Sequence, residues 1–319
     1  MNILIVGGSG YIGGAVTDML LQTPHNIRVY DALLYEESYR KPVEFVYGDI
    51  RDHERLRQQL DWSDAVIWLA ALVGDGACAL NPAASIEVNQ HAVAWLAENF
   101  DGRIIFTSTC SVYGAQNGEL TESSLTNPLS VYATTKLGAE EHLSNKNALI
   151  FRLGTLFGVG DQFARIRLDL VVNILTVRAA LERKLTVYGG DQFRPLLHVK
   201  DVAKAIVDHA GTRHVGIYNL IRQNVRIVDL AYQVRNHFPD SELILTDMQF
   251  QDLRNYRVSS QKARAELGWK PYLSIDDGIC EIKDLLESHR LKDVTNPRYA
   301  NQAFLSQFVP DLSKVSVSV

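Results

Sequence analysis

Tyr132 and Lys136 are the residue types with which an enzyme removes a proton from an alcohol. Residues four apart on a helix share one face. A free tyrosine, with a pKa of about 10, is too weakly acidic to serve as a base near neutral pH. An ammonium one helical turn away favours the phenolate and brings that pKa down. A further hydroxyl must hold the substrate oxygen, and Thr109, at the end of the apolar run Arg103–Ser108, is the natural donor. An alcohol that is oxidised this way also gives up a hydride, so the chain needs a hydride acceptor.

The signature of such an acceptor stands at the start of the chain, in MNILIVGGSGYIGG. Ile3–Val6 reads as a strand buried on both faces. Gly7, Gly10 and Gly13 follow at intervals of three, and Tyr11–Gln22 reads as a helix. Strand, glycine turn and helix cradle a dinucleotide. Gly7 permits the turn, Gly10 lets backbone approach the pyrophosphate, and Gly13 lets helix pack on strand, while Tyr11 and Ile12 open the helix whose dipole faces the anion. Asp31 ends the next strand, 18 residues after Gly13. A carboxylate there accepts from an adenosine ribose and repels a 2′-phosphate, which predicts NAD over NADP. Asp49 and Ile50 are expected at the adenine, by its amino group and its ring respectively. Lys136 can also hold the nicotinamide ribose.

The elements that position these residues alternate. Strands are predicted at Ile27–Asp31, Val43–Tyr47, Ala65–Ala70, Arg103–Ser108 and Ala148–Leu153, with helices at His53–Leu60, Pro82–Phe100 and from Val131 onward. Asp75–Leu80 reads as a loop of small residues over the cofactor, with Val73 leading into it. Asn89 lies in a helix it does not favour, either facing the site or exposed. This alternation predicts an α/β fold with a doubly wound parallel sheet. Residues 1–160 are expected to form the dinucleotide domain, with a return to it at about 196–221. Residues 161–195 and 222–292 are expected to form a smaller mixed α/β lobe, with helices at Asp169–Arg183, Ile227–Phe238 and Ser274–Ser288. Residues 293–319 show little periodicity and have no predicted place.

A formal net charge of −5 gives no reason to expect nucleic acid or an anionic membrane as partner. No apolar run is long enough to span a bilayer. The chain enters its first strand directly, without a basic leader, so a cytoplasmic location is expected. Cys78, Cys110 and Cys280 form neither a CxxC pair nor a zinc spacing, and no metal is predicted.

Taken together, Gly7-Gly8-Ser9-Gly10-Tyr11-Ile12-Gly13, Asp31, Gly48-Asp49-Ile50-Arg51-Asp52, Thr109 with Val112-Tyr113-Gly114, and Tyr132-x-x-x-Lys136 resemble the extended short-chain dehydrogenases/reductases of the nucleotide-sugar epimerase/dehydratase type. The resemblance implies a Rossmann fold, NAD, a nucleoside-diphosphate sugar as substrate, and a homodimer through Pro82–Phe100 and Val131–Leu143. It places Leu69, Ala70 and Ala71 along the cofactor. It also implies substrate contacts in the second lobe from Asn173, Arg194 and Arg254, the two arginines on phosphate, whereas His198 is expected to be structural. Val73, Cys110 and Ser111 are expected beside the substrate. Dehydratases of this family carry an Asp-Glu pair where this chain has Cys110 and Ser111. The expected activity is therefore an epimerase working through a transient keto-sugar at C4. A one-way 4-ketoreductase or 4-dehydrogenase is the alternative, and a 4,6-dehydratase or a non-catalytic NAD-binding regulator stands further off.

Overall fold

The computed structural model describes residues 1–161, 163, 165–246 and 255–308. In chain order come β1 (Asn2–Val6), α1 (Tyr11–Leu20), β2 (Asn26–Asp31), β3 (Glu44–Tyr47), α2 (His53–Trp62), β4 (Ala65–Trp68), α3 (Asp75–Leu80), α4 (Pro82–Ile86), a π turn (Glu87–His91), α5 (Ala92–Asn99) and β5 (Arg103–Thr109). A 3₁₀ turn (Cys110–Tyr113), β6 (Glu119–Leu120), α6 (Val131–Leu143), β7 (Ala148–Leu153), β8 (Thr155–Phe157), α7 (Val171–Glu182), β9 (Lys184–Tyr188) and β10 (Phe193–His198) follow. The remainder is α8 (Val199–His209), β11 (Gly216–Leu220), β12 (Gln223–Arg226), α9 (Ile227–His237), β13 (Glu242–Thr246), β14 (Arg257–Val258), α10 (Gln261–Glu266), α11 (Ile275–Glu287), a 3₁₀ turn (Pro297–Tyr299) and α12 (Asn301–Leu305).

Seven strands form one parallel sheet in the order β11-β7-β5-β4-β1-β2-β3. The apolar runs of its central strands serve two cores at once. Ile3, Ile5, Ile67, Ile105 and Leu149 pack on one face against Val16 and Leu20 of α1 and Val202 and Ile206 of α8. Leu4, Val6, Val66, Ile104 and Ile150 pack on the other against Leu56 and Leu60 of α2, Leu96 of α5 and Leu143 of α6. Successive side chains on a strand point to opposite faces, so a central strand of a doubly wound sheet must be apolar throughout.

The other strands make small sheets: β8, β10 and β12; β9 and β13; β6 and β14. A separate core of Phe157, Val172, Leu175, Leu196, Leu230 and Ile279 lies beneath the first two, while Leu120 of β6 and Val258 of β14 pack with Val112, Tyr113 and Tyr256. Within the stretch expected to rejoin the main sheet, only β11 does so, by pairing with β7, while β10 stays in the three-stranded sheet.

Four expectations change. Asp75–Leu80 is a helix, not a loop. The predicted helix Pro82–Phe100 is interrupted by the π turn, at whose centre Asn89 is buried. The fourth strand ends at Trp68, because the amides of Leu69 and Ala70 both turn back to the carbonyl of Val6, at 2.8 and 2.9 Å. The C-terminal stretch through residue 308 is placed: α12 packs on α3, with Phe304 against Tyr35. Among the described residues no helix is long and apolar enough to cross a membrane.

Candidate active site

A cavity of about 610 Å3 runs along the carboxyl ends of β1, β2, β4, β5 and β7, the edge where open α/β sheets bind ligands. At its floor Gly7 turns with φ of +87°, and a Cβ there would meet the amide nitrogen of Ala70 at 2.5 Å. A Cβ on Gly13 would meet the Gly7 carbonyl at 2.5 Å, so α1 presses directly on the turn. No side chain caps α1. Gly10, Tyr11 and Ile12 at its start line the cavity, so the uncapped end of the helix, where an anion is favoured, borders it.

Asp31 lies on the same cavity. One carboxylate oxygen accepts from the Ser9 amide at 2.9 Å and the other from Leu33 at 2.7 Å. Burial raises its pKa and these bonds oppose the rise. The Ser9 hydroxyl bonds the same carboxylate, which still has acceptor capacity for a ligand hydroxyl. Asp49 and Ile50 also line the cavity, but Arg51 holds the Asp49 carboxylate with bonds of 2.9 and 2.7 Å. A base amino group there would share that carboxylate with a guanidinium. Leu69, Ala70, Ala71 and Val73 form the wall above the turn.

Thr109, Ser111, Tyr132 and Lys136 meet at the far end of the cavity. Ser130 starts α6 by accepting from the Ala133 amide at 3.2 Å and donating to Asp75 at 2.7 Å, which ties the helix to α3. The Tyr132 phenol is pushed up by burial, while Arg167 and the hydrogen bond with the Thr109 hydroxyl act in the opposite sense. That hydroxyl also accepts from the Ser111 amide at 3.1 Å. The Lys136 ammonium lies 4.2 Å over the Phe106 ring, and burial brings its pKa down to about 7 although Glu140 pulls upward.

Two polar networks hold this end in place. Asn89 accepts from the Leu72 amide at 2.8 Å and donates to the Leu72 carbonyl at 2.9 Å and the Thr135 hydroxyl at 3.3 Å. The π turn thereby joins the wall above the glycine turn to the helix that carries Tyr132 and Lys136. Behind α6, Glu140 accepts from Ser108 and from both Nε and Nη2 of Arg152, Nη2 at 2.6 Å. The Arg152 guanidinium packs over Tyr113, which donates to Asn219 of β11 at 2.8 Å.

Other residues expected at the substrate are placed elsewhere. Cys110 does not line the cavity. Its thiol is fully buried among Val112, Tyr113 and Leu120, donates to the Arg152 carbonyl, and is pushed far up by burial. Asn173 is also fully buried, spent on both backbone groups of Gly158 and on the Arg167 carbonyl. Arg194, on β10, donates to the Phe193 carbonyl and lies away from the cavity. Arg254 lies outside the described residues. His198 is structural, as expected: it caps α8 through Nδ1 and pairs with Glu281 at 3.0 Å through Nε2. Conversely, Tyr35, Arg165, Arg167, Tyr256 and Asn301 line the cavity unanticipated. The alternation Arg165-x-Arg167-x-Asp169 is a sequence signal that could have drawn attention to the two arginines, and none marks Tyr35, Tyr256 or Asn301.

A glycine turn on a doubly wound sheet, an acid ending β2, and Thr109 beside a Tyr132/Lys136 helix define an oxidoreductase site of the dinucleotide-binding class. The chain belongs to the NAD-dependent epimerase/dehydratase family, whose model matches residues 3–220. It is 28% identical to a UDP-glucose 4-epimerase of Streptomyces lividans, over 84% of this chain and 91% of that one. It is 27% identical to a dTDP-glucose 4,6-dehydratase of Mycobacterium tuberculosis, over 94% and 98% respectively. Among solved structures, the UDP-glucose 4-epimerase of Thermus thermophilus in complex with NAD superposes with a TM-score of 0.79, covering 90% of this chain and 99% of that one at 23% identity.

Proposed function

We propose that the protein is an NAD-dependent epimerase of a nucleoside-diphosphate sugar, acting through a transient ketone at C4. The glycine turn, Asp31 and the wall Leu69–Ala71 would hold NAD, and the cradle fits it: one cavity of about 610 Å3 is lined by the turn, Asp31, Tyr132 and Lys136 together, and the turn admits no Cβ at Gly7 or Gly13. NAD supplies, when bound, a place for the sugar's hydride to go and return from. Everything else falls to the chain. Thr109 orients the sugar hydroxyl. Tyr132 takes the hydroxyl proton and later gives it back. Arg167 supplies positive charge that opposes the burial of the phenol, and Lys136, one helical turn from Tyr132 on the same cavity, would add to it when protonated.

The observation that carries the reading is the pairing of an intact Thr109, Tyr132 and Lys136 with a non-acidic Cys110 and Ser111. Eliminating water across C5–C6 needs a base and an acid of separated pKa beside the ketone. Serine has no useful pKa for this, and Cys110 is turned away from the cavity. The product is therefore expected to retain its C6 oxygen. Incubation with UDP-, GDP-, CDP- and dTDP-hexoses in deuterated water, followed by mass spectrometry, tests this. An epimerase leaves the mass unchanged and C5 free of deuterium. A two-hydrogen change would make the enzyme a one-way reductase or dehydrogenase, and loss of water would make it a dehydratase. Tighter binding of NADPH than of NADH would overturn the role given to Asp31. The family resemblance also supports a homodimer, which a single-chain mass by light scattering would contradict.

A further inference from the structure

Arg165 is buried to 6% exposure on the wall of the cavity, and among the described residues no carboxylate pairs with it. Its guanidinium lies 3.3 Å over the Tyr35 ring. Nη2 donates only to neutral oxygens, the carbonyl of Arg298 and Oδ1 of Asn301. Nε has no partner, and neither does the buried hydroxyl of Tyr35. Burying an unpaired guanidinium is costly, and proteins offset that cost with a counter-ion. Two residues on, Arg167 lines the same cavity, held in both planar donors by Asp169 at 2.9 and 3.0 Å. Its charge acts on Tyr11 of the glycine turn as well as on Tyr132. Glu36 lies on the same wall and acts on Arg165 without pairing with it.

The C-terminal stretch sets both arginines. Asn301 accepts from Arg165 through Oδ1, donates its backbone amide to Asp169 at 2.9 Å, and donates Nδ2 to the Val73 carbonyl at 2.6 Å. One residue thus joins α12 to the cofactor wall, to Arg165 directly and to Arg167 through Asp169.

From this arrangement we infer that Arg165 and Arg167, positioned by Asn301, form a binding site for a diphosphate in the cavity, so that the C-terminal stretch is part of the ligand site. This deepens the proposed function and rests on it. Two diphosphates are on offer there, the pyrophosphate of the dinucleotide and that of the sugar nucleotide. In both guanidinium groups Nη1 makes no bond to the described residues, and a charged donor of this kind suits a phosphate oxygen of either.

The test is calorimetric titration of the full chain, stripped of nucleotide, with ADP-ribose and with UDP. Arg165→Met and Arg167→Met are each expected to weaken one of these by about tenfold or more, the scale of a lost charged hydrogen bond. Loss confined to ADP-ribose assigns the pair to the dinucleotide, and loss confined to UDP assigns it to the sugar nucleotide. Asn301→Ala shifts the same ligand in the same direction. Arg165→Lys, which keeps the charge but not the fork, provides the reading should the methionine variants fail to fold. Hydrogen exchange of wild-type residues 297–305 supplies a second one, and is expected to slow when the assigned ligand is added. Folded variants that match wild type for both ligands, or exchange at 297–305 indifferent to both, would overturn the inference while leaving the proposed function standing. Wild-type protein that binds neither ligand would overturn both.

Discussion

Tyr132 and Lys136 carry opposite burdens from the same cause. Burial disfavours phenolate and ammonium alike, and different neighbours oppose it: Arg167 and the Thr109 hydroxyl for Tyr132, Glu140 for Lys136. Tyr132→Phe is expected to lower turnover by about a hundredfold or more, the usual scale for a lost acid–base group. NADH binding, followed by fluorescence, should survive. For Lys136 the folded pKa of about 7 lies below the ordinary 10.5. Between those values the unfolded chain binds more protons than the folded one, so this group makes stability rise with pH across that window. Below about pH 7 the folded lysine is charged and the burial cost is fully present. In nucleotide-free protein, the melting temperature of Lys136→Met relative to wild type should be most favourable below pH 7 and fall as the pH approaches 10.5. An offset that stays constant from pH 6 to 10 would show that the lysine titrates normally. These residues were legible in the sequence because their spacing is itself their geometry. Arg165 was not: the groups that make it unusual, Tyr35 and Asn301, lie far away in the chain, and no periodicity links them.

At the scale of elements, α6 is positioned less by its own sequence than by what grips it. Ser130 and Asp75 hold its start, Asn89 its side through Thr135, and Glu140 with Arg152 its back. Arg152→Met leaves Glu140 buried without its counter-ion and is expected to cost about 3–5 kcal/mol, measured by urea denaturation. Adding Glu140→Gln should restore part of that loss, because an uncharged amide is cheaper to bury. A double variant no more stable than the single would show that the pair's role is packing rather than charge. The main strands and α6 could be anticipated because burial on both sheet faces, or a cap followed by good helix formers, writes a local pattern. The exceptions have local causes too. Asp75–Leu80 contains too few large apolar residues to show a helical period, yet folds as a helix against α6 and α12. Cys110 and Asn173 matched by position in sequence. Position does not say which way a side chain turns, and both turn toward backbone carbonyls.

For the whole molecule, the return of β11 to the sheet has a kinetic consequence. Ala148–Leu153 is buried at every position, and among the described residues its outer edge pairs with Gly216–Leu220 alone. Residues 154–215 must therefore be in place before that edge closes, and parallel pairing across so long a crossover is slow to form. Until then an apolar strand with open amides and carbonyls faces solvent, which is the template on which chains join edge to edge. A fragment comprising residues 1–160 contains the glycine turn, Asp31, Thr109, Tyr132 and Lys136, and by composition it looks like a self-sufficient domain. It is expected to self-associate in proportion to its concentration, seen as rising mass in light scattering, whereas the full 319-residue chain, in which β11 covers that edge, should hold a constant mass. Equal dispersity of the two would mean that β7 finds other cover. If it does not, production of the complete protein will be limited by how long each nascent chain waits for its last strand, and slower synthesis at lower temperature should raise the soluble yield.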